Sequence, residues 1–202
     1  MEGHAVIEDV GRTLVALLRD RMGDDLIDQD REIALSSPND ADPGTRLTVY
    51  LYRVTENGQL KNAERREVGT DRYRRPPLAL DLYYLLTAHP SDGGGDGTER
   101  TGEQHRVLGR TMQVIHDNAI IRGSELEGSV ADQPALRLSI NPQGMDEIMS
   151  IWSTFDETPF RPSVAYLVTP VFIPSTEEGD ATRVVERHLK EYAWTMRVDE
   201  DE

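Results

Sequence analysis

Residues Arg74–Pro90 read RRPPLALDLYYLLTAHP, and this stretch decides the fold class. From Leu78 onward, Leu78, Leu80, Leu82, Tyr84 and Leu86 fall on one face, while Asp81 and Tyr83 fall on the other. A two-residue period of this kind predicts a β-strand over Leu78–Thr87. Its one-sided apolar character predicts a sheet covered by helices on one side. The next stretch, Pro90–Gly102, contains SDGGGDGTERTG and reads as a flexible loop. From Glu103 the period changes to helical, carrying Val107, Leu108, Met112 and Ile115 inward and fading at Asp117-Asn118. Strand, loop and helix therefore follow one another within fifty residues.

Working outward toward the N-terminus, Leu47–Val54 is a second strand. It places Leu47, Val49 and Leu51 on one face and Thr48, Tyr50 and Tyr52 on the other. Thr55–Thr70 is polar, with Asn57-Gly58 as a turn signal, and reads as a solvent-facing hairpin excursion. Asp24–Gly44 is acidic and broken by Pro38 and Pro43, which leaves room for a short strand at Arg31–Leu35. Val6, Ile7, Val10, Leu14, Leu17 and Leu18 form one helical stripe that ends at Gly23.

Toward the C-terminus, Leu136, Leu138 and Ile140 alternate as a strand that Asn141-Pro142 stops. A third helix follows, with Met145, Ile148, Met149, Trp152 and Phe155 as its expected buried stripe. Pro159 and Pro162 bracket the entry to a last core strand, Val164–Ile173, and Pro174–Gly179 reads as a linker-like turn. Ala181–Val198 fits either a helix around Val184–Leu189 or a strand through Tyr192, Trp194 and Met196, and the extended form suits its second half better. The fold class is α+β (α/β-like), a small mixed β-sheet with about three flanking helices. Residues 1–174 are expected to form the core domain, and residues 175–202 a C-terminal arm with an acidic tail.

Composition excludes several classes of function. The chain has 202 residues, 37 acids against 22 bases, a formal charge of −15 and no cysteine. An anionic surface argues against nucleic acid or an anionic membrane as partner. Without cysteine there is no disulfide, no thiol nucleophile and no Cys-based zinc site. No apolar run reaches the length of a membrane-spanning helix, and the first residues lack a basic leader segment, so synthesis and folding in the cytoplasm are expected. Lys61 and Lys190 are the only lysines. An acid-rich, lysine-poor surface suits concentrated salt, where the screening length shrinks to about 3 Å at 1 M. A GC-rich genome also favours Arg over Lys, yet it does not account for the excess of acids.

Catalytic and metal motifs are missing. Asp92–Gly97 lacks the ligand spacing of an EF-hand loop, and Thr98 stands where a GxGxxG element needs its third glycine. His105 and His116 lie eleven residues apart, about three helical turns, too far for one metal ion. His4, His89 and His188 are scattered and read as surface or half-buried residues, and there is no HExxH, GxSxG or P-loop. Asp81 has no second acid or base assigned to it, and an Arg such as Arg74, Arg75 or Arg137 is its expected partner. No catalytic residue, metal ligand or cofactor follows from the residues. Trp194, in a polar segment, fits an anchor covered by a neighbouring subunit or one folded back on its own sheet.

Taken together, the 74–121 stretch and LRLSINPQGMDEIMSIWSTFDETPFRPSVAYLVTPVFI at 136–173 make the chain resemble a known family. That family is the cap, or tail-terminator, proteins of phage-tail-like contractile injection systems of the virulence-cassette and antifeeding-prophage type. The matching segments cover most of Val6–Ile173. The resemblance implies a homo-hexameric ring that closes the distal end of the inner tube and of the contractile sheath, with no turnover of a small molecule. Its partners would be other copies of itself, the inner tube protein and the sheath protein, with neither nucleic acid nor membrane. Assembly would occur in the cytoplasm, in a particle that is released. The acidity and the long Gly-rich loop depart from the family pattern. A monomeric adaptor or binding module, and an enzyme without a recognised motif, are the alternatives. Leu189, Tyr192, Trp194 and Met196 are the expected interface residues, since they would otherwise leave an apolar edge in water.

Overall fold

The computed structural model describes residues 3–23, 26–27, 30–61, 66–67, 72–91, 96–155 and 158–180. In chain order the main elements are α1 (Val6–Met22), β1 (Ile33–Ala34), β2 (Leu47–Glu56), β3 (Arg66–Glu67), β4 (Arg72–Arg74) and β5 (Leu78–Ala88). They are followed by α2 (Gly97–Asp117), β6 (Ile120–Ile121), β7 (Leu136–Ile140), α3 (Met145–Trp152), β8 (Ser163–Ile173) and β9 (Glu178–Asp180). Six strands form one sheet in the order β1-β2-β5-β8-β7-β6, and β3, β4 and β9 form a second sheet of three. Only the β1–β2 pairing is parallel, so the larger sheet is mixed, as the sequence suggests.

The two longest strands, β5 and β8, pair at the centre, with Tyr84 opposite Tyr166 and Leu86 opposite Val164. Their apolar face receives α1 through Val10, Leu14 and Leu18, and α2 through Val107, Val114 and Ile115, all buried in one core. Burial of these side chains, each worth about 1.5–3 kcal/mol, fixes α1 and α2 to the same face. The third helix lies on the opposite face. Trp152 and Phe155 there enclose Leu85, with Tyr50, Tyr52, Ile148 and Ile151 packed around them. Helices therefore cover one face fully and the other at one end.

Two irregularities interrupt the central ladders. Register shifts between Leu51 and Arg53 on β2, and between Leu80 and Leu82 on β5. The second shift leaves Asp81 opposite no β8 residue and coincides with Pro170, joined to Thr169 by a cis peptide bond. Proline lacks the N–H that a central strand must donate, so it is tolerated at such a bulge. Pro76, Pro77 and Pro174 then end the β5–β8 ladder, and β4 and β9 pair beyond them, Arg74 opposite Glu178 and Arg72 opposite Asp180. The 174–179 stretch is thus not merely a turn: its end is a strand, tied further by an Arg75–Glu177 ion pair at 3.2 Å. The expected excursion Thr55–Thr70 contains β3, which pairs antiparallel with β4 just beyond it.

The Gly-rich segment is shorter than the sequence suggests. α2 begins at Gly97, six residues before Glu103, because the Asp96 carboxylate accepts the N–H groups of Thr98 at 2.7 Å and Glu99 at 2.9 Å. That cap satisfies two of the helix's orphan donors and overrides the glycines' preference for loop. Among the described residues no helix is long and apolar enough to cross a membrane.

Candidate assembly surfaces

The polar residues singled out in the sequence do not converge. Asp81 is held by the Asn57 side-chain amide at 2.8 Å and by the Thr169 hydroxyl. The expected arginine partner is not among its described contacts, since Arg75 pairs with Glu177. The bulge explains the change: it turns Asp81 toward Thr169 and the Asn57 turn at the end of β2. Asn57 also closes its own turn, its side-chain Oδ1 accepting from the N–H groups of Gln59 and Leu60 at 3.1 Å each. His105 and His116 are exposed on α2. Among the described residues no three His, Asp or Glu side chains gather as metal ligands. Residues 92–95 and His188 lie outside the described residues.

His89 differs from expectation because it is only 4 % exposed. The Arg161 guanidinium stands 3.1 Å from Nδ1, and the Thr48 hydroxyl 3.0 Å from Nε2. A guanidinium can only donate, so Nδ1 accepts and Nε2–H donates to Thr48, which makes the ring neutral. Burial, together with the neighbouring Arg161 charge, pushes its pKa down to about 4.

The surface with the character of an interface lies on and beside α3. Trp152 and Phe155 are core residues, as the period of the helix suggests, but Met145 is 65 % exposed and Met149 47 %. The stripe is real but only partly buried: Ile148, Trp152 and Phe155 pack on the sheet, whereas Met145 and Met149 do not. Its other end is fixed by a short polar link: Tyr52 Oη accepts from Asn141 at 3.2 Å and from Gln143 at 3.4 Å. The Gly144 N–H donates to Glu147 at 3.1 Å and caps the first turn. Phe160, 50 % exposed, leans on Trp152 with ring centroids 5.3 Å apart. The sequence reading missed Phe160, although a Pro-flanked aromatic ahead of a strand was a usable signal. Beyond α3, the same sheet face carries Tyr83 under the Arg53 guanidinium, 4.5 Å from the ring centre.

Leu189, Tyr192, Trp194 and Met196, the expected interface residues, lie outside the described residues. The described chain ends at β9, beyond the Leu78–Ile173 end of the central ladder, whereas α3 and Phe160 sit toward its Thr87–Ser163 end.

A family model described as the Pvc16 N-terminal domain matches residues 9–187. The chain belongs to the Pvc16 N-terminal domain family. Its fold is also that of a solved extracellular contractile injection system component, the PVC sheath/tube terminator in the extended state. The TM-score is 0.61 at 19 % identity, covering 93 % of this chain and 64 % of the other. The anti-feeding prophage tube-terminating cap gives 0.57 at 18 % identity, covering 90 % of this chain and 60 % of that one. This Pvc16 N-terminal domain protein therefore spans under two thirds of the length of the solved structures it matches. No curated protein matches its sequence.

Proposed function

We propose that this protein is the tail terminator of a phage-tail-like contractile injection particle. The observation that carries the reading is membership of the Pvc16 N-terminal domain family over residues 9–187, supported by the fold shared with a sheath/tube terminator and a tube-terminating cap. In this reading the chain forms a homo-hexameric ring, binds the last ring of inner tube protein and the end of the contractile sheath, and stops their growth. No substrate is turned over. A closed ring needs two unlike patches per subunit that meet head to tail, and the two ends of the central ladder supply unlike patches.

Within residues 175–202, the part beyond β9 acts as the arm between subunits, with Leu189, Tyr192, Trp194 and Met196 as its anchoring side chains. Strand addition would give it main-chain hydrogen bonds and the aromatics would give it specificity. The ring assembles in the cytoplasm and leaves with the particle. Deleting the gene should yield sheath–tube particles of uncontrolled length, or none, by electron microscopy. Particles of normal, uniform length in the deletion would refute the terminator role.

A further inference from the structure

At the Thr87–Ser163 end of the ladder, three loops enclose a recess of about 290 Å³. Pro38, Pro43, Pro90 and Pro159 form its walls, and four rings with fixed φ make it rigid before anything binds. Its polar lining is rich in hydrogen-bond donors. Arg161 holds His89 with one guanidinium nitrogen, yet its Nε is buried without a partner. Thr45, only 5 % exposed, likewise has a buried Oγ1 with no partner. No acid among the described residues lies within ion-pair distance of Arg161. Such unpaired buried groups cost free energy that a suitable acceptor would recover. A planar fork beside a hydroxyl suits a carboxylate, which a guanidinium grips through two parallel bonds. The one acid on the lining, Asp42, is exposed at the rim.

We infer that this recess accepts a carboxylate of the acidic segment Asp199–Glu202 from a neighbouring copy. Two observations select that occupant. The segment has four consecutive acids, the charge complement of a recess whose cation forms no ion pair with an acid among the described residues. It also lies three residues after Met196 and five after Trp194, while Arg161 directly follows the exposed Phe160, so each side carries an apolar residue near its charged one. The eighteen residues between Asp180 and Asp199 can span up to about 60 Å when extended, ample to leave one subunit and reach the next. The inference rests on the ring reading, in which one copy's arm meets the other end of its neighbour.

A mixing experiment tests it with full-length chains. One chain, isotope-labelled, has Asp199, Glu200, Asp201 and Glu202 changed to Asn or Gln, leaving its recess empty. The other, unlabelled, carries Arg161→Gln and keeps its acids. Adding the second to the first should move the His89 ring resonances of the labelled chain saturably, and less so in high salt. A partner carrying both sets of changes should not move them. Asp42→Asn in the labelled chain should tighten the response several-fold, a gain that misfolding cannot mimic; wild-type chain in excess serves as a second donor if Arg161→Gln folds poorly. No saturable shift, or an equal shift from the doubly changed partner, would overturn the inference. Sedimentation of the wild-type chain separates the two claims. An oligomer without the His89 response removes the recess alone, and a monomer that still gives the response removes the ring alone.

Discussion

His89 is the residue through which mild acid should act on this fold. Its ring is buried between Thr48 and Arg161, and its pKa lies near 4 in place of the usual 6.5. Between those values the unfolded chain binds a proton that the folded chain refuses, so stability rises with pH across this window. Read downward, stability starts to fall as the pH drops below about 6.5, and the loss is complete below about pH 4, where it amounts to roughly 3 kcal/mol. Melting curves of the wild type against His89→Gln should show the dependence in the wild type and a flatter profile in the variant; parallel profiles would place the acid response elsewhere. Nothing in the sequence marked this site. An isolated histidine after a strand says little until the fold brings an arginine 72 residues away against it. Gly128 is a similar case: at φ +58° a Cβ would stand 2.6 Å from the Asp9 carboxylate. That carboxylate accepts from both the N–H and the hydroxyl of Ser129 at 2.8 and 2.6 Å, which holds its pKa below the usual range.

Among the elements, α2 shows how a local signal can be outweighed on paper by a louder one. Five glycines between positions 93 and 102 pointed to a loop, yet Asp96 followed three residues later by Glu99 is the spacing of a helix start. The cap decides the outcome. Asp96→Ala should therefore lower stability by about 1 kcal/mol, a fall of about 2–4 °C in melting temperature for a chain of this size, whereas Asp96→Asn should be nearly silent. An unchanged melting temperature in the alanine variant would mean the first turns contribute nothing. Strands were the most legible elements, since alternation in β2, β5 and β7 survives in the observed faces. In α3 the period was legible but its meaning was not. A stripe of Met145, Ile148, Met149, Trp152 and Phe155 reads alike whether it is covered by its own sheet or only half covered.

For the molecule as a whole, charge is the property most open to experiment. At −15, dilution from molar salt to 0.1 M lengthens the screening distance from about 3 Å to about 10 Å and exposes the acids to one another. Melting temperature should therefore rise with KCl concentration over that range, and a flat curve would leave the arginine-rich composition to genomic base content. The overall architecture was readable because each long strand announced its buried face. The second sheet was not, because its pairing joins Arg72–Arg74 to Glu178–Asp180 across more than a hundred residues and carries no apolar pattern. That small sheet has a mechanical meaning. Pro76, Pro77 and Pro174 separate its three β4–β9 pairs from the long β5–β8 ladder. Tension drawn through the chain beyond Asp180 would load β9 first, one pair at a time, and reach β8 only after β9 had peeled away. The joint is thus a weak link of three residue pairs, one that would open under a pull while the long β5–β8 ladder keeps its shape.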